Sequence, residues 1–113
     1  MCYSVIFLGT AQDAGIPQLM CTCDNCKQYQ RYIASLAIVD EKKNECIVID
    51  ATSDLREQWK KLEEMYPNIQ LKSIIITHGH IGHIHGLFFL GKEGPNLNNI
   101  HIYMDQEIWV KNL

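Results

Sequence analysis

The fold is decided by one stretch of the chain, Ser73-Ile74-Ile75-Ile76-Thr77-His78-Gly79-His80-Ile81-Gly82-His83-Ile84-His85-Gly86. The apolar run from 73 to 77 predicts a β-strand buried on both faces, because its side chains do not alternate with polar ones. Four histidines follow within eight residues, and neutral imidazole is the commonest side-chain ligand of first-row metals. Open sheets place their sites in loops at the carboxyl ends of buried strands, so this stretch predicts a metal site.

Apolar periodicity predicts the other elements outward from this stretch. Besides 73–77, strands are predicted at residues 3–8, 36–39, 46–49 and 100–104, and helices at residues 27–34, 53–66, 87–90 and 105–110. The unbroken apolar run at 46–49 predicts a second strand buried on both faces. This order predicts an α/β fold, a mixed sheet with flanking helices. We expect a single domain over residues 1–113 that is incomplete, because the chain stops as its last helix begins.

The composition is that of a globular protein. The formal net charge of the 113 residues is -3 and no basic patch stands out, so no nucleic-acid partner is expected. The chain shows neither a signal peptide nor a membrane span, which predicts a cytoplasmic location without membrane contact. Without a secretion signal, the five cysteines indicate metal binding before disulfides.

Three of the cysteines, Cys21, Cys23 and Cys26, lie within six residues. They offer three thiolates on one tight loop, whereas a structural zinc ion takes four ligands at tetrahedral geometry. The spacing therefore predicts a structural zinc site whose fourth position is filled by water or by a partner chain. The alternative is a set of three reduced, inert thiols. Cys2 and Cys46 are expected to be buried in strands as small apolar residues.

Three motifs in the right order carry a family resemblance. Residues 77–83, Thr-His-Gly-His-Ile-Gly-His, resemble the His-x-His-x-Asp-His signature of the metallo-β-lactamase fold superfamily. Residues 48–52 resemble the strand-end aspartate motif of that superfamily. Residues 8–18, followed by the cysteines of 21–26, resemble the branch that contains pyrroloquinoline quinone biosynthesis protein B, and the phosphodiesterases of phosphonate breakdown share the cysteine pattern. The resemblance implies the N-terminal half of an αββα sandwich.

The resemblance also implies roles for single residues. His78 and His80 would bind a first metal ion, His83 would bind a second, and Asp50 would orient the histidine loop from behind the ligands. The implied metal is zinc, with manganese or iron as alternatives at the active site. His85 is an extra histidine, which either joins the ligands or faces solvent.

Gly82 departs from the family pattern, because hydrolytic members have a metal-binding aspartate at this position. The leading hypothesis is still a metal-dependent hydrolase that acts on a phosphodiester or similar ester of a small molecule. The second hypothesis is a role in quinone-cofactor biosynthesis with a single metal. The third is a truncated, non-catalytic metal-binding chain. Half a sandwich exposes strand edges and an apolar face, which predicts a homodimer or a domain swap.

Overall fold

A five-stranded sheet forms the centre of the computed structural model, which describes residues 2–91, 94–95, 97 and 99–112. The strands, which lie side by side in chain order, are β1 (Tyr3–Gly9), β2 (Ser35–Asp40), β3 (Glu45–Ile49), β4 (Gln70–Ile75) and β5 (His101–Tyr103). β2 pairs antiparallel with both β1 and β3, whereas β3, β4 and β5 run parallel. The predicted mixed sheet is therefore confirmed.

Short helices connect or flank the strands. They are α1 (Asp24–Gln28), α2 (Leu55–Met65), α3 (Ile81–Ile84) and α4 (Gln106–Asn112), with a 3₁₀ helix at His85–Leu90. The helix predicted at 27–34 is wrong: α1 ends at Gln28, and the following segment forms extended bridges from Arg31 to Ile16 and from Ile33 to Ala11. In the described part of the chain, no helix has the length and apolar character that a membrane crossing requires.

One face of the sheet packs on the core, and the other face is partly exposed in the described strands. Cys46 and Val48 of β3 point into the core, while Ile47 and Ile49 are partly exposed, so the prediction of burial on both faces is wrong. Burial on both faces was also predicted for residues 73–77, and this is wrong too, because Ile75 is 36% exposed. The core combines this face with α2 and the segments after β3 and β4, and its buried members are Leu8, Ala37, Val39, Cys46, Val48, Ala51, Leu55, Leu62, Ile69, Ile74, Ile76 and Ile84.

The opposite face carries an open apolar row. Phe7, Leu36, Ile49, Ile75 and Tyr103 lie opposite one another across the five strands. Phe7 is 73% exposed and Tyr103 is 57% exposed. A contiguous apolar surface of this kind marks an interaction site in soluble proteins. The homodimer or domain swap expected from the sequence remains a prediction.

Gln58 of α2 fixes the end of β1 against the rest of the domain. Its fully buried side chain donates to the carbonyl oxygens of Ile33 at 2.7 Å and Leu8 at 3.4 Å, and it accepts from the Thr52 hydroxyl at 2.7 Å. These bonds give every polar atom of the Gln58 side chain a partner, as is usual for a buried amide. They hold the loop after β1 in a fixed relation to the loop after β3.

One edge of the sheet collects the loops that matter for the site. β1, β3 and β4 all run in the same direction, because β2 is antiparallel to its two neighbours. Their carboxyl ends therefore meet at the same edge, which is where α/β sheets bind ligands. Asp13 follows β1, Asp50 follows β3 and His78 follows β4.

Candidate metal centre

Asp50 connects the segments that meet at this edge of the sheet. Its backbone lies in the left-handed region at φ 68°, a conformation that aspartate tolerates better than most residues. The side chain is buried, with 6% of the residue exposed. Its Oδ1 accepts the backbone N–H of Thr77 at 2.8 Å, and its Oδ2 accepts the Thr77 hydroxyl at 2.7 Å. The same Oδ2 lies 2.9 Å from Nδ1 of His83. One carboxylate thus joins the start of the histidine loop to the helix that follows it.

These contacts assign the protons of two imidazole rings. Nδ1 of His83 faces the Asp50 carboxylate, so we assign the proton of the neutral ring to Nδ1, and its lone pair then lies on Nε2. His78 has Nδ1 2.9 Å from Oγ1 of Thr77, whose own proton goes to Asp50. We therefore assign the Nδ1 proton of His78 to this contact, and its Nε2 is free as well. A carboxylate that fixes the tautomer in this way is the usual support of a metal-binding histidine.

The imidazole rings of the loop lie next to one another. The centroid of His78 is 4.3 Å from that of His83 and 4.7 Å from that of His80. One ligand atom from each of Asp50, His78 and His83 lies within 4.8 Å of the others. Two nitrogen atoms on one zinc ion, each at about 2.0–2.1 Å, are roughly 3.3 Å apart. Asp50, His78 and His83 therefore form a donor set that could hold a metal ion.

His80 and His85 differ from the buried His83. The side chain of His80 is 75% exposed, and its ring meets that of His78 edge-on. His85 is exposed, and its ring packs against Phe88 and Phe89 with centroids 5.7 and 6.1 Å apart. Among the described residues, His80 and His85 both lie outside the group of converging ligand atoms. The structure thus brings two of the four histidines, His78 and His83, into that group, and the ring of His80 lies beside that of His78.

Asp13 is the site residue that the sequence analysis missed. Its Oδ1 lies 2.8 Å from Nε2 of His83, and its Oδ2 lies 3.8 Å from Nδ1 of His80. The side chain of Asp13 is 39% exposed, whereas that of His83 is 9% exposed. The signal was available in part, because Asp13 follows a strand. It could be used only once β1 was known to run parallel to β3 and β4.

The three clustered cysteines form a second group. Their sulfur atoms all lie within 4.8 Å of one another, and Sγ of Cys21 is 3.3 Å from Sγ of Cys23. Sulfur atoms that share a zinc ion at about 2.3 Å are roughly 3.8 Å apart, so this group also fits a metal. Hydrogen bonds from the backbone of Cys26 and from the neighbouring thiols lower the pKa of Cys23 to about 7. A thiol with a lowered pKa supplies the thiolate that metal binding needs.

The other two cysteines behave differently from each other. Cys46 is buried in β3, and burial raises the pKa of its thiol to about 12, so it is an inert core residue as predicted. Cys2 is exposed, and the prediction that it is buried is wrong. It precedes β1 at the margin of the sheet, where the described residues provide no cover.

The fold and the site define a known class of protein. The sequence profile of the metallo-β-lactamase superfamily matches residues 30–103, which include β2 to β5, Asp50 and the whole histidine loop. The chain therefore belongs to the metallo-β-lactamase superfamily.

Within the superfamily, the chain is similar to curated proteins named Coenzyme PQQ synthesis protein B. That of Ruegeria pomeroyi is 29% identical over 101 residues, covering 80% of this chain and 34% of the relative. That of Pseudomonas entomophila is 30% identical over 102 residues, covering 79% of this chain and 33% of the relative. The chain thus spans about a third of the length of the curated relatives it matches.

Two solved structures share the fold. Zn(2+)-bound PqqB from Methylobacterium extorquens superposes with a TM-score of 0.77 at 24% identity, covering 96% of this chain and 39% of that chain. A diphosphatase of the PhnP family superposes with a TM-score of 0.76 at 24% identity, covering 96% of this chain and 44% of that chain. The mixed sheet with its flanking helices is thus the corresponding part of a metallo-β-lactamase fold.

Proposed function

We propose that this chain is the metal-binding part of a metal-dependent hydrolase that cleaves phosphodiester or similar ester bonds of small molecules. One observation carries the proposal: His78 and His83 converge with both Nδ1 atoms directed to Asp50, directly or through Thr77. This arrangement leaves two Nε2 atoms ready as ligands. Similarity of fold to a diphosphatase of the PhnP family supports the choice of a phosphate ester as substrate.

In this proposal, His78, His80 and His83 hold the metal, and zinc is the ion favoured by the imidazole ligands and by the Zn(2+)-bound PqqB structure. When bound, the ion would lower the pKa of a water molecule toward ~7 and so supply the nucleophile. Asp50 lies among the converging ligand atoms, but its oxygens already meet three donors. We infer that it orients the two rings and does not bind the ion.

A second candidate is a role in quinone-cofactor biosynthesis with one metal ion. It is favoured by the relatives, which are named for PQQ synthesis, and by Gly82, which has no side chain to bind a second ion. Single-metal sites with open positions support oxygen chemistry as well as hydrolysis. We also propose that Cys21, Cys23 and Cys26 hold a structural zinc ion, because their sulfur atoms converge.

The proposal is tested by metal content and turnover measured on the same preparation. Wild type is loaded with Zn²⁺ or Mn²⁺, its metal is counted by mass spectrometry, and hydrolysis of a chromogenic phosphodiester is followed. His83→Asn should lose one bound ion and all turnover. His101→Asn is the matched control, because His101 is an exposed histidine on β5 and should keep both.

The outcomes separate the three hypotheses. Turnover that depends on His83 supports the hydrolase. A bound ion without hydrolysis rejects the hydrolase for this chain and favours the single-metal or non-catalytic alternatives. Metal content that is the same in His83→Asn and wild type rejects the histidine site itself.

A further inference from the structure

We propose that Asp13 is a ligand of the metal at the histidine site and that Gly82 is a glycine so that Asp13 can reach it. This inference rests on the metal-binding role proposed above and adds a carboxylate from a distant part of the chain. Asp13 and His83 are 70 positions apart, and β1 brings the aspartate to the carboxyl edge of the sheet.

The hydrogen-bond count around His83 supplies the first argument. A neutral imidazole has one N–H, and that of His83 points to Asp50 from Nδ1. Its Nε2 then offers a lone pair, yet this atom lies 2.8 Å from a carboxylate oxygen of Asp13. Two electron-rich atoms at this distance repel each other unless a cation joins them. The contact therefore marks a place where a metal ion can join the two atoms.

Asp13 occupies the space that a side chain at position 82 would need. A Cβ built on this residue would lie 2.8 Å from Cβ, 2.9 Å from Cγ and 3.0 Å from Cα of Asp13. Real Cβ atoms do not approach so closely, and the obstacle includes the backbone of Asp13. Gly82 lies in α3 without a positive φ, where alanine is the better helix former. The glycine is thus explained by the packing of Asp13 and not by the helix.

The loop that carries Asp13 is held in place by backbone hydrogen bonds on both sides. The backbone N–H of Ala11 donates to Tyr32 at 2.9 Å, and that of Ile16 donates to Arg31 at 3.1 Å. Between these anchors, a turn is closed by the N–H of Gly15, which donates to the carbonyl of Gln12 at 2.8 Å. Asp13 therefore sits in a fixed turn that already faces the histidines, as a preorganised ligand would.

The decisive measurement is the affinity for Zn²⁺ in competition with a chromophoric chelator, and the visible spectrum with Co²⁺ reports the ligand set. Asp13→Asn keeps the shape and removes the charge. Substitution of a residue that hydrogen-bonds to a metal ligand lowers metal affinity by roughly 10–100-fold. We expect Asp13→Asn to lower the Zn²⁺ affinity by at least this factor and to alter the Co²⁺ spectrum. Glu64→Gln, which removes an exposed carboxylate from α2, is the control and should bind as wild type does.

A relocation variant tests whether position 82 and Asp13 share one space. Asp13→Gly should bind weakly, and adding Gly82→Asp should recover affinity, because the side chain that blocked position 82 is gone. Adding Gly82→Ala to Asp13→Gly supplies a Cβ without a carboxylate and should recover none. The single variant Gly82→Ala should displace Asp13 and weaken binding, and circular dichroism verifies that each variant is folded.

The failures are distinguishable. An Asp13→Asn variant that binds Zn²⁺ as tightly as wild type overturns this inference and assigns the contact to a hydrogen bond between His83 and Asp13, while the hydrolase proposal stands. An affinity that depends on Asp13 in a protein without esterase activity supports the inference and rejects the hydrolase. Wild-type affinity in Gly82→Ala overturns the packing argument.

Discussion

The Asp50→Asn substitution is the most direct test of how the site is built. Asparagine tolerates the left-handed backbone of this position, at φ 68°, as aspartate does, so the change isolates the side-chain chemistry. The carboxylate accepts from the N–H and the hydroxyl of Thr77 and from Nδ1 of His83. Asparagine has one acceptor oxygen and a donor NH₂ group. Whichever way the amide is oriented, its NH₂ faces at least one of these donors.

The size of the effect follows from this count. Asp50 and His83 are buried, and a buried donor left unpaired costs about 1–3 kcal/mol, while the remaining bonds lose their charge, so we expect a loss of about 2–3 kcal/mol. With a urea m-value of about 1–3 kcal/mol/M, the unfolding midpoint of the metal-free protein should fall by about 0.7–3 M. Zinc affinity should fall by roughly 10–100-fold, because both histidines lose their fixed tautomer.

The control is Asp40→Asn. Asp40 also accepts backbone N–H groups, those of Lys42 and Lys43, but in an exposed turn at the other edge of the sheet. Its free energy of unfolding should change by about 0.5 kcal/mol or less. Equal unfolding midpoints for the Asp50 variant and wild type would refute the hydrogen-bond assignment. Unchanged zinc affinity in a destabilised variant would refute the role of Asp50 in orienting the ligands.

Two further predictions concern the cysteines and the open face. Since the pKa of Cys23 is about 7 and that of Cys46 about 12, alkylation of Cys23 in metal-free protein should rise with pH to half its maximum near pH 7, with Cys46 unreactive; tandem mass spectrometry checks this, and a midpoint near 9 would contradict it. Phe7→Glu should weaken self-association about tenfold or more, because a buried phenylalanine contributes about 1.5–3 kcal/mol. Light scattering should show no such change for Leu19→Glu, a loop residue that is 87% exposed, and a monomeric wild type would reject the dimer.

Much of the fold was predictable because it is encoded locally. Alternating or continuous apolar runs predicted all five strands, and the amphipathic segment at 53–66 predicted α2. The helix expected at 27–34 failed, since that segment pairs with the loop after β1 and gains its hydrogen bonds there. Burial on both faces failed for β3 because an apolar run records side-chain chemistry and not what covers it.

The candidate site, like the fold, could be predicted only in part from the sequence. The sequence by itself determined the histidine loop and the cysteine cluster as candidates, because their donor atoms are concentrated within a few residues, and the family resemblance added Asp50. It left open the part played by His85, which the structure places against aromatic rings. The histidine loop and the cysteine cluster each lie within a short stretch of chain, so a single sequence is enough to predict them.

Only the tertiary structure decided that Asp13 faces His83 across 70 positions of chain and that Gly82 makes room for it. The physical reason is the order and direction of the strands. Because β2 is antiparallel to both neighbours, β1 runs parallel to β3, and the loop after β1 arrives at the edge where Asp50 already orients the histidines. Hydrophobic pattern determines which segments become strands, whereas their pairing in space determines which side chains meet.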